Sequence, residues 1–252
     1  MFNNPSSVFN FTHVYEAYSF MQSKAFNWVD CTELEGTDCY CDTEAEKQLK
    51  EMMNDLPLHG IHWLDSGDYH YLSKLWTDKI EEPFTLVVLD HHPDMQRPMF
   101  GELLSCGSWV RAALEQNDML KQVYLVGVDD KLIDESRGFN SRVKVVSENE
   151  LLSQPLDGIM SRLQLDYPVF ISIDKDVMTP NECSTNWNQG SVTWKQLTAL
   201  LEYLMQHRVL GIDICGEEPK ILTHCCYSND AQINEKFNES LFDCIKSSCH
   251  NK

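Results

Sequence analysis

The chain has 252 residues, 42% of them hydrophobic and 23% charged, a balance that excludes a disordered or collagen-like polymer. Its formal net charge of −19 argues against nucleic acid and anionic membranes as partners and favours metal ions and cationic small molecules. No stretch has the apolar length of a membrane span, and Met1 to Phe20 lacks the basic start and apolar run of a secretory signal; a cytoplasmic protein with its ten cysteines reduced is expected.

In chain order, Phe26 to Cys31 reads as a strand, and Thr43 to Asn54 as a helix capped by Thr43 with Glu46 at capping-box spacing. Gly60 to Leu64 reads as a strand, followed by a helix from Tyr69 to Ile80. Phe84 to Asp90, Gln122 to Val128, Arg142 to Val146, Tyr167 to Asp174 and Val209 to Ile214 carry the β-branched and aromatic runs of further strands. Helices are expected over Cys106 to Gln116, Leu156 to Leu165 and Trp194 to Gln206. Strand and helix alternate, which predicts a parallel sheet covered on both faces. With no repeat, low-complexity tract or Pro/Gly-rich linker, residues 1–252 are read as one domain.

Two short strings stand at predicted strand ends. Leu89-Asp90-His91-His92-Pro93-Asp94 follows one buried run, and Ser172-Ile173-Asp174-Lys175-Asp176 follows another far downstream. On a strand, residues i and i+2 share a face, so Asp90 points with His92 and Asp174 with Asp176, while Asp94 curls back beyond Pro93. The C-terminal edge of a parallel sheet is where ligands bind, which brings both strings to one crevice. Four carboxylates and an imidazole gathered there repel one another unless cations neutralise them. Oxygen donors with some imidazole suit Mn²⁺ or a similar first-row ion better than a thiolate-preferring metal.

These strings resemble those of the ureohydrolases: arginase, agmatinase and formiminoglutamase. The family's first string is usually Asp-Ala-His-x-Asp, and here His91 replaces the Ala; Gly67-Asp68-Tyr69-His70 resembles its Gly-Gly-Asp-His element, and Gly190-Ser191-Val192-Thr193 its Gly-Gly-Leu-Thr-like stretch. The resemblance spans about residues 60–219. It implies a three-layer αβα fold with a mainly parallel sheet and a metal site at the C-terminal ends of the strands. It also implies two divalent ions, Mn²⁺ first among them, held by His70, Asp90, His92, Asp94, Asp174 and Asp176. Asp90 and Asp174 would bridge, and Asp94 would also orient the attacking hydroxide. The implied reaction is hydrolysis of a guanidino compound with release of urea, the substrate being a small alkylguanidine or arginine within a peptide. Many members of the family assemble, so a homo-oligomer is a further expectation.

The chain departs from the family pattern twice. Cys106-Gly107 stands where the family has a proton-relaying His-Gly, leaving Cys106 as either a thiolate base or helix core, with His62, His91 and His224 as substitutes. Gly216 stands where the family has a guanidinium-gripping Glu. Glu217, one residue later, takes that role if a bulge at Gly216 redirects it, and is otherwise a surface acid. Trp187 either lines the entrance or folds inward. The cysteines at positions 31, 39 and 41, or Cys225-Cys226 beside His224, could hold zinc, yet no Cys-x-x-Cys occurs, and most are read as small buried hydrophobes. Two further functions remain open: a deacetylase-like amide hydrolase of related fold using one metal, and a non-catalytic metal-stabilised binding protein.

Overall fold

A computed structural model describes residues 5–98, 101, 103–139, 141–219 and 229–248. Eight strands form one sheet: β1 (Ser7–Asn10), β2 (Asn27–Asp30), β4 (Ile61–Trp63), β5 (Phe84–Leu89), β7 (Leu120–Val128), β8 (Val143–Ser147), β9 (Val169–Asp174) and β10 (Val209–Cys215). Their order is β2-β1-β4-β10-β9-β5-β7-β8, and every neighbouring pair is parallel. Two short segments, β3 (Tyr40–Cys41) and β6 (Leu104–Ser105), pair antiparallel outside it.

Both faces of the sheet are covered, which is why its central strands are apolar throughout. Successive residues of β5 divide between the two sides. Val87 and Leu89 join a core with Leu197, Leu200, Leu201 and Leu204 of α7 (Trp194–Leu204) and Phe237, Leu241 and Ile245 of α8 (Asn229–Ser248). Leu86 and Val88 join a second core with Leu49 of α2 (Thr43–Met53), Leu75 and Trp76 of α3 (Leu72–Thr77), and Val110 and Leu114 of α4 (Trp109–Gln116). The expected three-layer fold follows, because each helix has one apolar stripe and can bury it only against the sheet.

Several element ends differ from the sequence reading. The cap of α2 is Asp42, not Thr43: its carboxylate accepts the N–H groups of Glu44 and Ala45 at 3.0 and 2.9 Å. The helix expected from Tyr69 is preceded by a tight 3₁₀ turn, Gly67–Tyr69, and only Leu72–Thr77 is α-helical. The helix from Leu156 stops at Met160, because the Tyr124 hydroxyl accepts from Gln164 N and donates to Gln164 O, holding that segment in another path. Strand β1 and helix α8 had no sequence expectation. The first is four residues long with Ser and Asn at its ends, and the second has an apolar stripe diluted by Asn, Glu and Lys. No described helix is long and apolar enough to cross a membrane.

The crevice arises from the connections. From β5 the chain leaves through α4 to β7 on one side, whereas from its neighbour β9 it leaves through α7 to β10 on the other. The two connections diverge, and the C-terminal tips of β5 and β9 are left uncovered between them.

Candidate metal centre

The six predicted ligands come from three strand tips. His70 follows β4 through the tight turn, Asp90 and His92 follow β5, Asp174 ends β9, and Asp176 lies in the 3₁₀ turn Lys175–Val177. All six expected ligands converge, but strand alternation is not what aligns them. Strand β5 ends at Leu89 and β9 at Asp174, so the second member of each pair lies beyond the strand. Local turns do the work. Asp90 Oδ1 accepts the His92 N–H at 2.6 Å, and Asp174 Oδ1 accepts the Asp176 N–H at 2.9 Å. Asp94 turns back with φ +50°, a left-handed conformation that Asp tolerates better than most residues.

The ligand atoms fall into two groups that share Asp90: His70, Asp90 and Asp94, and Asp90, His92 and Asp176. A third group, His70, Asp174 and Cys215, overlaps the first. His70 Nδ1 lies 3.2 Å from Asp90 Oδ2, 3.0 Å from Asp94 Oδ2 and 3.5 Å from Asp174 Oδ2. Its other nitrogen, Nε2, is 2.8 Å from Ser172 Oγ, a contact that fixes the ring with Nδ1 toward the carboxylates. His92 Nδ1 lies 2.7 Å from Asp176 Oδ2 and 3.6 Å from Asp90 Oδ1.

Four buried carboxylates facing two imidazoles set up a strong electrostatic conflict. Burial and the charge of Asp90 push Asp94 up to about 7, and burial with the neighbouring acids pushes Asp174 and Asp176 up as well. Burial also acts on Asp90, but the neighbouring His70 and His92 outweigh it and hold that carboxyl below its ordinary range. Burial opposes protonation of His92, yet Asp176 and Asp90 raise it to about 12. His70 is likewise raised well above its ordinary value, against burial, by Cys215, Asp90 and Asp94. Asp90 Oδ2 is buried with no hydrogen-bond donor although His70 Nδ1 is 3.2 Å away, the arrangement of two lone pairs aimed at a common point. The donor set, oxygens with two imidazoles, fits a pair of divalent ions.

Above these ligands lies a cavity of about 230 Å³, walled by Cys39, Tyr40, Gln96, Ser105, Cys106, Gly107 and Trp187. Trp187 is 41% exposed and stands at its rim, its Nε1 donating to Asp68 Oδ1 at 3.0 Å. Gly67 admits this packing: a Cβ there would lie 2.7 Å from Trp187 Cδ1 and 3.1 Å from Asp174 Oδ2. Cys106 faces the cavity, and its thiol is pushed far up by its interaction with Cys39, by burial and by the charges of Asp94 and Asp68. Those surroundings favour its neutral form.

Glu217 does not line the cavity. Gly216 does break the strand, with φ +93°, but it turns Glu217 inward to full burial. There its Oε1 takes the Lys175 ammonium and Asn238 Nδ2 (2.7 Å), and its Oε2 takes Tyr18 OH (2.9 Å) and Asn234 Nδ2 (3.1 Å). His62 also stands elsewhere, fully buried, stacked on Trp76 and bonded to Leu58 O at 2.9 Å. His91 is 8% exposed and does not line the cavity; it packs edge-on to His92 and beside Gly190. His224, Cys225 and Cys226 lie outside the described residues. Cys31 and Cys41 are buried among apolar side chains, their thiols pushed up to about 12 by burial.

Three contributors had gone unassigned. Trp109 Nε1 donates to Asp94 Oδ2 at 2.7 Å, Ser172 orients His70, and the Cys215 thiol donates to Asp174 Oδ2 at 3.1 Å. Ser172 was visible as the first residue of its string; Trp109 and Cys215 carry no signal until helix and strand are placed.

Residues 13–224 match the family model described as the Arginase family. The chain belongs to the arginase family. An uncharacterised protein of Thermotoga maritima is 30% identical over 236 residues, 93% of this chain and 88% of that one. The fold is similar to proclavaminate amidino hydrolase from Streptomyces clavuligerus, with TM-score 0.74, 14% identity and coverage of 99% and 92%. It is also similar to the agmatine ureohydrolase of Thermoplasma volcanium (0.68, 17%, 97% and 88%) and to Trypanosoma cruzi formiminoglutamase with Mn²⁺ (0.69, 10%, 96% and 94%). Within this arginase-family fold the paired ligand groups form a site for two divalent ions.

Proposed function

We propose that this arginase-family chain hydrolyses a guanidino compound with two divalent ions, Mn²⁺ being the best match to the donor set and to the metal of the Trypanosoma cruzi formiminoglutamase. The observation that carries this reading is the sharing of Asp90 between two ligand groups at the floor of an open cavity. A single-metal deacetylase has no use for the second group.

His70, Asp90, His92, Asp94, Asp174 and Asp176 would hold the ions, which when bound supply the positive field that ionises a water near neutral pH. Asp94, its carboxylate fixed by Trp109 Nε1, is placed to hold the proton of that water and point a lone pair at a trigonal carbon. Addition of water and loss of the substituted nitrogen convert R–NH–C(NH₂)=NH₂⁺ and water to R–NH₃⁺ and urea. Cys106, a thiol on the wall whose neutral form its surroundings favour, can donate toward the departing nitrogen.

The cavity also favours the substrate class. Its described lining contains no Lys or Arg, and its four carboxylates are taken up by the ions, so a free carboxylate on the substrate meets no counter-charge from the wall. Agmatine-like or peptide-borne guanidines should therefore outrank free arginine and guanidinobutyrate. A urea-release assay of the manganese-loaded protein against these four tests the reading. Protein carrying both ions that releases no urea from any of them refutes it.

A further inference from the structure

The wall of the cavity carries two cysteines, Cys39 and Cys106. Strands β3 and β6 pair Tyr40 with Ser105 and Cys41 with Leu104. One step further along this antiparallel register sets Cys39 opposite Cys106, and the Cys106 N–H donates to Cys39 O at 2.9 Å. Both residues lie just past the end of the ladder, and a backbone bond of this kind between facing residues holds their Cα atoms about 5.5 Å apart, inside the roughly 4.4–6.8 Å that a disulfide requires. Cys39 Sγ donates to Asp68 Oδ1 at 3.3 Å, and both cysteines line the same cavity. Both are half-buried and line the cavity, whereas Cys31, Cys41, Cys183 and Cys215 are buried. Cys39 holds φ +57°, rare for a residue with a side chain.

We propose that Cys39 and Cys106 are a reversible dithiol/disulfide pair in the cavity wall, oxidised by a small disulfide such as glutathione disulfide. In the balanced exchange, the S–S bond of the oxidant breaks, one S–S bond forms between Cys39 Sγ and Cys106 Sγ, and the two thiol hydrogens leave on two molecules of glutathione. The bond ties the segment carrying Tyr40 to the turn carrying Gly107, and it removes the one S–H that Cys106 presents to the cavity. Oxidation thus reshapes the wall without touching a metal ligand, since none of the six predicted ligands is a cysteine.

The test needs no substrate. Metal-loaded protein is equilibrated with graded ratios of reduced and oxidised glutathione, acid-quenched, alkylated unfolded and digested. Mass spectrometry should then find the peptide bearing Cys39 joined to the one bearing Cys106, lighter by two hydrogens, with fragmentation between Cys39 and Cys41 assigning the bond to Cys39. Dithiothreitol should reverse it. In Cys39→Ser the link should fall by roughly tenfold or more, with glutathione accumulating on Cys106 instead. Complete separate alkylation of the two peptides in wild-type protein at every ratio, or a bond mapped to Cys41, overturns the proposal. Either result leaves the hydrolytic reading untouched, because urea release is measured on the reduced protein.

Discussion

The Lys175 ammonium and the Glu217 carboxylate form an ion pair with neither side chain exposed to solvent, Lys175 standing in sequence between the predicted ligands Asp174 and Asp176 yet outside the cavity they line. Lys175 also donates to Asn238 Oδ1 at 3.2 Å, so helix α8 is bonded to the turn that carries Asp176. Such a pair is costly to break from one side, because the survivor is left charged in a dry interior. Glu217→Gln should therefore destabilise the fold by about 3–5 kcal/mol. Replacing both partners with apolar residues, Lys175→Met with Glu217→Leu, should restore much of that, as read by chemical denaturation. A loss confined to KM with stability unchanged would instead return Glu217 to substrate binding.

Asp90 belongs to both ligand groups, whereas His92 belongs to one. Asp90→Asn should therefore strip both ions, and His92→Ala chiefly one, when metal per chain is counted by elemental analysis. Turnover should vanish in the first. Equal losses in the two variants would contradict the sharing.

Gly216 holds φ +93°, and a Cβ there would sit 2.5 Å from Asp174 Oδ1 and 2.8 Å from Lys175 N. Gly216→Ala is expected to cost about 1 kcal/mol or more from backbone strain alone and to displace a metal ligand besides. Metal affinity and Tm should fall together. Gly158 supplies the control: nothing lies within reach of an added Cβ there and its φ is ordinary, so Gly158→Ala should leave both intact.

Burial lowers His62 from its ordinary 6.5 to about 3, against its hydrogen bond to Leu58 O. The folded value lies below the unfolded one, so the stability this neutral imidazole contributes is complete above pH 6.5. It is lost progressively as pH falls toward 3, because the unfolded chain takes up the proton first. The loss is on the order of a few kcal/mol. His62→Leu should flatten the acid limb of a plot of Tm against pH over that range; an unchanged slope would show that His62 is not its source.

What could be read from the chain alone was whatever repeats on the scale of a strand or a short string. Runs such as Phe84–Leu89 and Val169–Asp174 declared buried strands, their alternation with helices declared the parallel sheet, and the two acidic strings at their tips declared a cation site, because apolar runs and clustered charges carry their meaning locally. Contacts made by a single side chain across great separation were settled only by the tertiary structure. The Trp109 indole reaches Asp94 from a neighbouring helix, the Cys215 thiol meets Asp174 from the adjoining strand, and Cys39 and Cys106 come to one cavity wall beside a two-residue ladder. The direction of Glu217 was of the same kind. One left-handed glycine could send it to the cavity or to Lys175, and the competition was decided by a buried ammonium and two asparagines that no local pattern announces.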